Sequence, residues 1–188
     1  MNTLVLDKAI GTLNTHKDEW ARLPITEKIP LFQGVSKKTA EVAENWVAVA
    51  VNAKSIPESS PLVGEEWASG PWALIYGVES MVGTLQSLDK GKNPPIGKVR
   101  TMSSGQVIAD IFPYNIYQRL LLSGIRAEVW MQDDVTADNF TENIAKVYKS
   151  DDQSGQVSLV LGGGNIASIP PLDVLDRLFA HKSVCVLK

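Results

Sequence analysis

Gly162, Gly164 and Ala167 carry the most suggestive spacing in this sequence of 188 residues. They fit the G-x-G-x-x-A pattern, in which glycines let the backbone approach a pyrophosphate at a helix N-terminus. The other reactive side chains are less promising. Cys185 is the only thiol and sits between Val184 and Val186 in an apolar run, where cysteine usually serves as a small inert hydrophobe. His16 and His181 each lie on a helical stretch without a second ligand at metal spacing, so no metal site is expected. The acidic pairs Glu65-Glu66, Asp133-Asp134 and Asp151-Asp152 adjoin turns and read as solvated loop ends. There is no G-x-S-x-G elbow and no phosphate loop ending in G-K-[ST].

The glycine pattern is positioned by strand, loop, helix and strand. Val157 to Leu161 is a short apolar run of strand type. Leu172, Leu175, Leu178 and Phe179 recur at helical spacing, and Ser183 to Leu187 is a second buried-type strand. Two apolar strands joined by one helix make a βαβ unit, the opening piece of a doubly wound, Rossmann-like parallel sheet. Two features oppose the simple dinucleotide reading. Pro170 and Pro171 set the helix start near Pro171, because proline is tolerated only in the first helical turn. The glycines therefore form an extended crossing rather than a tight turn. The acid expected after the second strand to take the ribose hydroxyls is replaced by Lys188.

These same residues resemble the aldehyde dehydrogenase superfamily. Its nucleotide domain opens with a strand, a loop containing asparagine, a proline-marked helix and a strand ending in lysine. Here Leu161-Gly-Gly-Gly-Asn165, Pro170-Pro171 and Val184-Cys-Val-Leu-Lys188 supply those parts, and the separation of Asn165 from Lys188 resembles the family's. The resemblance implies that the Asn165 amide donates to the oxyanion of a thiohemiacetal and that Lys188 reaches the adenosine ribose of NAD or NADP. Gly163, Gly164 and Ile166 complete the implied cofactor-binding set. Gly163 and Gly164 stand where the family usually has proline and an aromatic, and Ile166 and Ala167 where it usually has an aromatic and a proline. The aromatic that walls the substrate tunnel is thus missing, which points to an outlying branch near acyl-CoA-reducing relatives. The substrate implied is an aldehyde or an acyl thioester.

Upstream, Thr3 to Leu23 reads as an amphipathic helix with Leu4, Leu6, Ile10, Leu13, Trp20 and Leu23 on one side. Pro24 and Pro30 bracket a connector. Ser36 to Lys54 reads as a second helix with Val42, Trp46, Val49 and Ala50 as its apolar seam. A third helix starts near Pro71 and runs to Leu85, and Lys90 to Gly97 is a loop. Strands are expected over Gln106–Phe112 and Arg126–Met131 around a short helix Asn115–Ser123 ended at Gly124, and a helix over Ala137–Lys149. The helical beginning, with Trp20 and Trp46, resembles the family's opening helices. The strand pair resembles its oligomerisation arm, with Tyr114 and Trp130 as exposed contacts; an ordinary edge pair fits the residues equally.

The fold class expected is α/β: N-terminal helices over 1–97 packing on the nucleotide domain, a strand-pair arm over 98–135, and an incomplete first βαβ unit of a doubly wound sheet over 136–188. The cysteine nucleophile, the base glutamate and the nicotinamide-binding glycines of the family are not found in this sequence. It is therefore expected to be the N-terminal segment of an NAD(P)-dependent oxidoreductase, inactive by itself and homo-oligomeric when complete. The alternative is a stand-alone nucleotide-binding or protein-interaction module whose sheet is completed by a partner or by self-association. Composition narrows the rest. A net charge of −3 with scattered Lys and Arg gives no nucleic-acid footprint. One cysteine suits a reducing compartment, and neither a membrane-length apolar run nor a signal peptide is present, so the cytoplasm is expected.

Overall fold

The computed structural model describes residues 3–113 and 115–188. In chain order the elements are helices α1 (Thr3–Arg22), α2 (Ile25–Ala53), α3 (Leu62–Trp67) and α4 (Ala73–Asp89), strands β1 (Val99–Thr101) and β2 (Val107–Phe112), helix α5 (Ile116–Leu121), strand β3 (Ala127–Trp130), helices α6 (Phe140–Asn143) and α7 (Lys146–Lys149), strand β4 (Gln156–Val160), helix α8 (Ile169–Ala180) and strand β5 (Ser183–Leu187). They fall into two compact units. One joins the chain up to Gln86 with Asp151–Lys188; the other is Ser87–Ser150. This grouping differs from the expected linear division at 97/98 and 135/136, because α1 packs on β4 and β5 across most of the sequence.

In the first unit β4 and β5 pair in parallel, from Gln156 opposite Ser183 to Val160 opposite Leu187, with α8 as the crossover. The parallel βαβ element is thus present as a pair of strands. α1 is fastened to it at three points. Asp18 Oδ1 accepts the Gly155 N–H at 2.7 Å, Lys17 Nζ donates to the Gly155 carbonyl at 2.9 Å, and Trp20 Nε1 donates to the Leu178 carbonyl at 3.1 Å. Gly155 is obligatory here, since a Cβ would lie 2.1 Å from the Lys17 carbonyl oxygen. Phe32 of α2 sits between Trp20 and Phe179, with ring centroids 6.5 Å and 6.2 Å away. The buried Lys28 ammonium lies 5.0 Å from the Trp20 ring centroid, and burial, with the Lys182 charge second, lowers its pKa.

The expected connector between Pro24 and Pro30 is helix instead. Pro24 precedes the first turn and its carbonyl accepts from Glu27 and Lys28, while Pro30 lies inside α2. Coming in the second turn, Pro30 deprives only the Thr26 carbonyl of its partner. The apolar seam assigned to α2 is also corrected. The buried row is Phe32, which meets Trp20 and Phe179, followed by Thr39, Ala43, Val47 and Val51, and α2 packs on α3 and the π-helical segment Ala68–Trp72. Val42 and Val49 are exposed and Trp46 is half-buried. Small and β-branched residues at every fourth position let α2 approach those neighbours closely, which the larger Trp46 row does not.

The second unit is a three-stranded antiparallel sheet in the order β1-β2-β3. The strands expected around α5 are present, and β1, placed opposite Val107–Ala109, adds a hairpin that the residue pattern did not reveal. Val107, Ala109, Val135 and Phe140 form its core, with Met131 and Ile144 against it. Arg100 bonds Asp110 and Glu128 at 2.7 Å and 2.6 Å, and Arg126 reaches the same two carboxylates at 2.8 Å and 2.7 Å. Asn115 caps α5, its Oδ1 accepting the Gln118 N–H at 2.9 Å. The single helix expected over Ala137–Lys149 is broken into α6 and α7 by an extended Ile144 and a left-handed Ala145 with φ 52°. That break turns the Ile144 side chain into the core. Trp130 is exposed; Tyr114, its expected companion, lies outside the described residues. No helix among the described residues is long and apolar enough to cross a membrane.

Candidate functional site

A parallel strand pair directs its carboxyl ends to one rim, and the loops leaving that rim are where α/β sheets bind ligands. In this chain the ladder runs one step past both strands: Lys188 N–H donates to the Val160 carbonyl at 3.0 Å, and Gly162 N–H donates to the Lys188 carbonyl at 2.9 Å. The root of the glycine loop is thereby tied to the backbone of the terminal lysine. Gly162 permits this approach, because a Cβ there would lie 2.9 Å from Pro170 Cγ and 3.4 Å from the Lys188 carbonyl oxygen. Gly163 lies beside the Asn165 side chain, 3.3 Å from its Cβ position to Oδ1. Asn165, Gly164 and Lys188 are exposed, and Gly163 and Ile166 are half-buried.

The far end of the loop is fixed separately. Ser168 is buried and its hydroxyl donates to the Ser69 carbonyl in a short hydrogen bond. Helix α8 begins at Ile169, with Pro170 and Pro171 in its first turn, so the glycines do not feed straight into the helix, as expected, although the crossing is not extended throughout: it bends at Gly164 and Asn165 and turns at Ala167 and Ser168. This arrangement removes the usual diphosphate cradle. Pro170 and Pro171 have no N–H, the Ile169 N–H donates to the Ile166 carbonyl at 3.2 Å, and the Leu172 N–H to the Ser168 carbonyl at 3.0 Å. The start of α8 therefore has few free donors for a pyrophosphate. The donor set therefore does not suit a pyrophosphate at the helix N-terminus.

One wall of the site was not legible in the sequence. A groove of about 490 Å³ runs beside the loop, lined by Trp46, Val49, Ala50 and Ala53 of α2 together with Gly164 and Ala167. Trp46, Val49 and Ala50 belong to the row that periodicity assigned to the core. Their relation to the loop depends on which face α2 turns toward α3, and no local signal carries that.

Cys185 is half-buried on β5, with Sγ 3.9 Å from the Val174 carbonyl oxygen of α8. Burial raises its pKa, opposed weakly by Arg177, so at neutral pH it is a thiol and a poor nucleophile. His16 pairs with Glu19 at 3.0 Å on an exposed face, and His181 lies 3.4 Å from Asp176. Among the described residues no three His, Cys, Asp or Glu side chains gather where they could hold a metal ion.

The class defined so far is a mixed helix–strand protein with a parallel βαβ element and a glycine–asparagine loop at its carboxyl rim. No protein-family model, curated protein or solved structure matches the chain.

Proposed function

We propose that this chain supplies the oxyanion donor and the ribose-binding lysine of an aldehyde dehydrogenase-like oxidoreductase that uses NAD or NADP. The observation that carries the reading is the bonding of Gly162 to Lys188, which sets the asparagine loop and the lysine at one sheet end. In this reading the βαβ element opens a doubly wound sheet. Asn165 donates its amide N–H to the oxygen of an aldehyde or acyl thioester as negative charge develops there. Lys188 donates to the ribose hydroxyls, and Gly163, Gly164 and Ile166 line the crevice between them. The bound nucleotide supplies the hydride acceptor or donor.

Two features bear on what else the reaction needs. Asn165 is exposed, and a donor in water stabilises charge far less than one in a dry site. Cys185 is a half-buried thiol turned toward α8. The nucleophilic cysteine, the base glutamate and the surface that dries the site therefore belong to other polypeptide, and these residues alone do not turn over substrate. The complete enzyme is a homo-oligomer.

Equilibrium titration of the chain with NAD⁺ and NADP⁺ tests the proposal. One of the two is expected to bind, and Lys188→Ala to weaken it about tenfold, the worth of one charge-assisted hydrogen bond. Asn165→Ala is expected to leave nucleotide affinity unchanged. Failure of both nucleotides to bind, or aldehyde oxidation by these residues alone, would overturn it.

A further inference from the structure

Trp46 and the glycine loop are fixed to the same short piece of backbone. The Ser168 hydroxyl, at the end of the loop, donates to the Ser69 carbonyl. The next residue, Gly70, lies against the Trp46 indole, where an added Cβ would be 3.4 Å from Nε1. Both anchors belong to the π-helical segment Ala68–Trp72, in which Gly70 and Pro71 are buried. Single π-helical turns occur frequently at functional sites. The groove between α2 and the loop therefore has both of its walls tied to one buried support.

The lining restricts what fits there. Trp46, Val49, Ala50 and Ala53 of α2 and Gly164 and Ala167 of the loop enclose about 490 Å³, a size within the range of small-molecule sites. Asn165 stands between the two loop residues of that lining. Lys54 is the ionisable group among the described lining residues, and the carboxylate of the buried Glu66 engages its ammonium at 2.6 Å. With that charge already balanced, an acidic tail would be desolvated without a partner, whereas methylenes gain from the apolar wall. From Trp46 to Ala53 the helix rises roughly 10 Å, the reach of about eight carbons in an extended chain. We infer that the carbonyl substrate carries an uncharged aliphatic chain of about six to eight carbons, which lies in this groove while Asn165 meets the carbonyl. Trp46, Val49, Ala50 and Ala53 then determine specificity for chain length. This rests on the reading of Asn165 as the carbonyl's donor, which by itself leaves the rest of the substrate open.

Titration of the full ¹⁵N-labelled chain with butanamide, hexanamide and octanamide tests this, read at the Trp46 indole N–H and at the Gly164 and Ala167 amides. These probes keep the carbonyl and the chain but do not react with lysine. Affinity is expected to rise about two- to fourfold with each added methylene, the lower value for a chain left partly in water. Val49→Asp and Ala53→Phe change exposed positions and should keep the circular dichroism and melting temperature of the wild type. Each should lower octanamide affinity at least about fivefold and butanamide affinity by less than about twofold. Affinity independent of chain length, shifts confined to residues outside the groove, or tighter binding of benzamide or succinamate than of hexanamide overturns the inference. Parallel titration with NAD⁺ and NADP⁺ separates the two claims. Nucleotide binding without chain-length dependence overturns the groove's role alone. Chain-length dependence without nucleotide binding upholds the groove's preference for an aliphatic chain and overturns the nucleotide reading.

Discussion

The two sheets of this molecule are stabilised by opposite strategies. The antiparallel sheet β1-β2-β3 draws its core and its charge network from the contiguous stretch Ser87–Ser150. Arg100 and Arg126 sit between Asp110 and Glu128 on neighbouring strands, so pairing the strands assembles the ion pairs. The parallel pair β4-β5 makes no such arrangement. One helix that covers it, α8, is its own crossover, while α1 arrives from 137 positions away at the Asp18–Gly155 contact. Antiparallel strands can leave one face to water, whereas a parallel pair needs cover on both. The unit that carries the candidate site is therefore the one that depends on distant sequence.

Removing the ring that joins α1, α2 and α8 should break this contrast most severely. Phe32→Ala is expected to cost about 3–5 kcal/mol and to strip hydrogen-exchange protection from β4 and β5 while leaving β2 and β3 protected. Equal loss in both sheets would mean the units do not unfold separately. Gly155→Ala attacks the same cover from the backbone: its Cβ meets Lys17 and Asp18 main-chain atoms, and a cost of about 1–3 kcal/mol is expected from the forced shift. The thermal transition of the first unit should fall, with that of the second unchanged. In the second unit Asn115→Ala removes the α5 cap, at about 0.5–2 kcal/mol, and circular dichroism with amide exchange at Gln118 should report it.

Acid should weaken both units, more gently than these substitutions. The Arg126 hydrogen bond to Asp110 and the Arg100 hydrogen bond to Glu128 hold these carboxyls below the usual carboxylate range. In the first unit the Gly155 N–H does the same for Asp18. A folded-state pKa below the unfolded value means that the stabilisation is complete above the unfolded pKa, about 4, and is lost as pH falls through the folded one. Protection of β2 and β3 should therefore decline as pH drops below about 4, and added salt should shrink the effect. In Asp110→Asn this acid response should be reduced.

What could be read from the sequence follows the same division. The strands at 157–161 and 183–187, the proline-marked start of α8 and the start of α5 near Asn115 are local signals, and the elements stand within a residue or two of them, whereas α5 ends at Leu121, capped by Leu122 and not by Gly124. β1 escaped notice because Val99–Thr101 is too short to show alternation. Pro30 was misleading because proline near a helix start reads as a break when the true start, Ile25, lies just ahead. The row Val42, Trp46 and Val49 has helical period but not burial, since periodicity identifies an apolar stripe and not what covers it. The same ambiguity hid the groove beside Gly164.

The claim on which the functional reading depends is that the glycine–asparagine loop and Lys188 form one nucleotide-binding rim. Backbone amide shifts of the ¹⁵N-labelled chain during titration with the nucleotide that binds would test it most directly. The account predicts shifts concentrated at residues 162–167 and at Lys188, with about tenfold more nucleotide needed to reach the loop shifts in Lys188→Ala. Shifts confined to another part of the molecule, or loop shifts that Lys188→Ala reaches at the same nucleotide concentration, would contradict it.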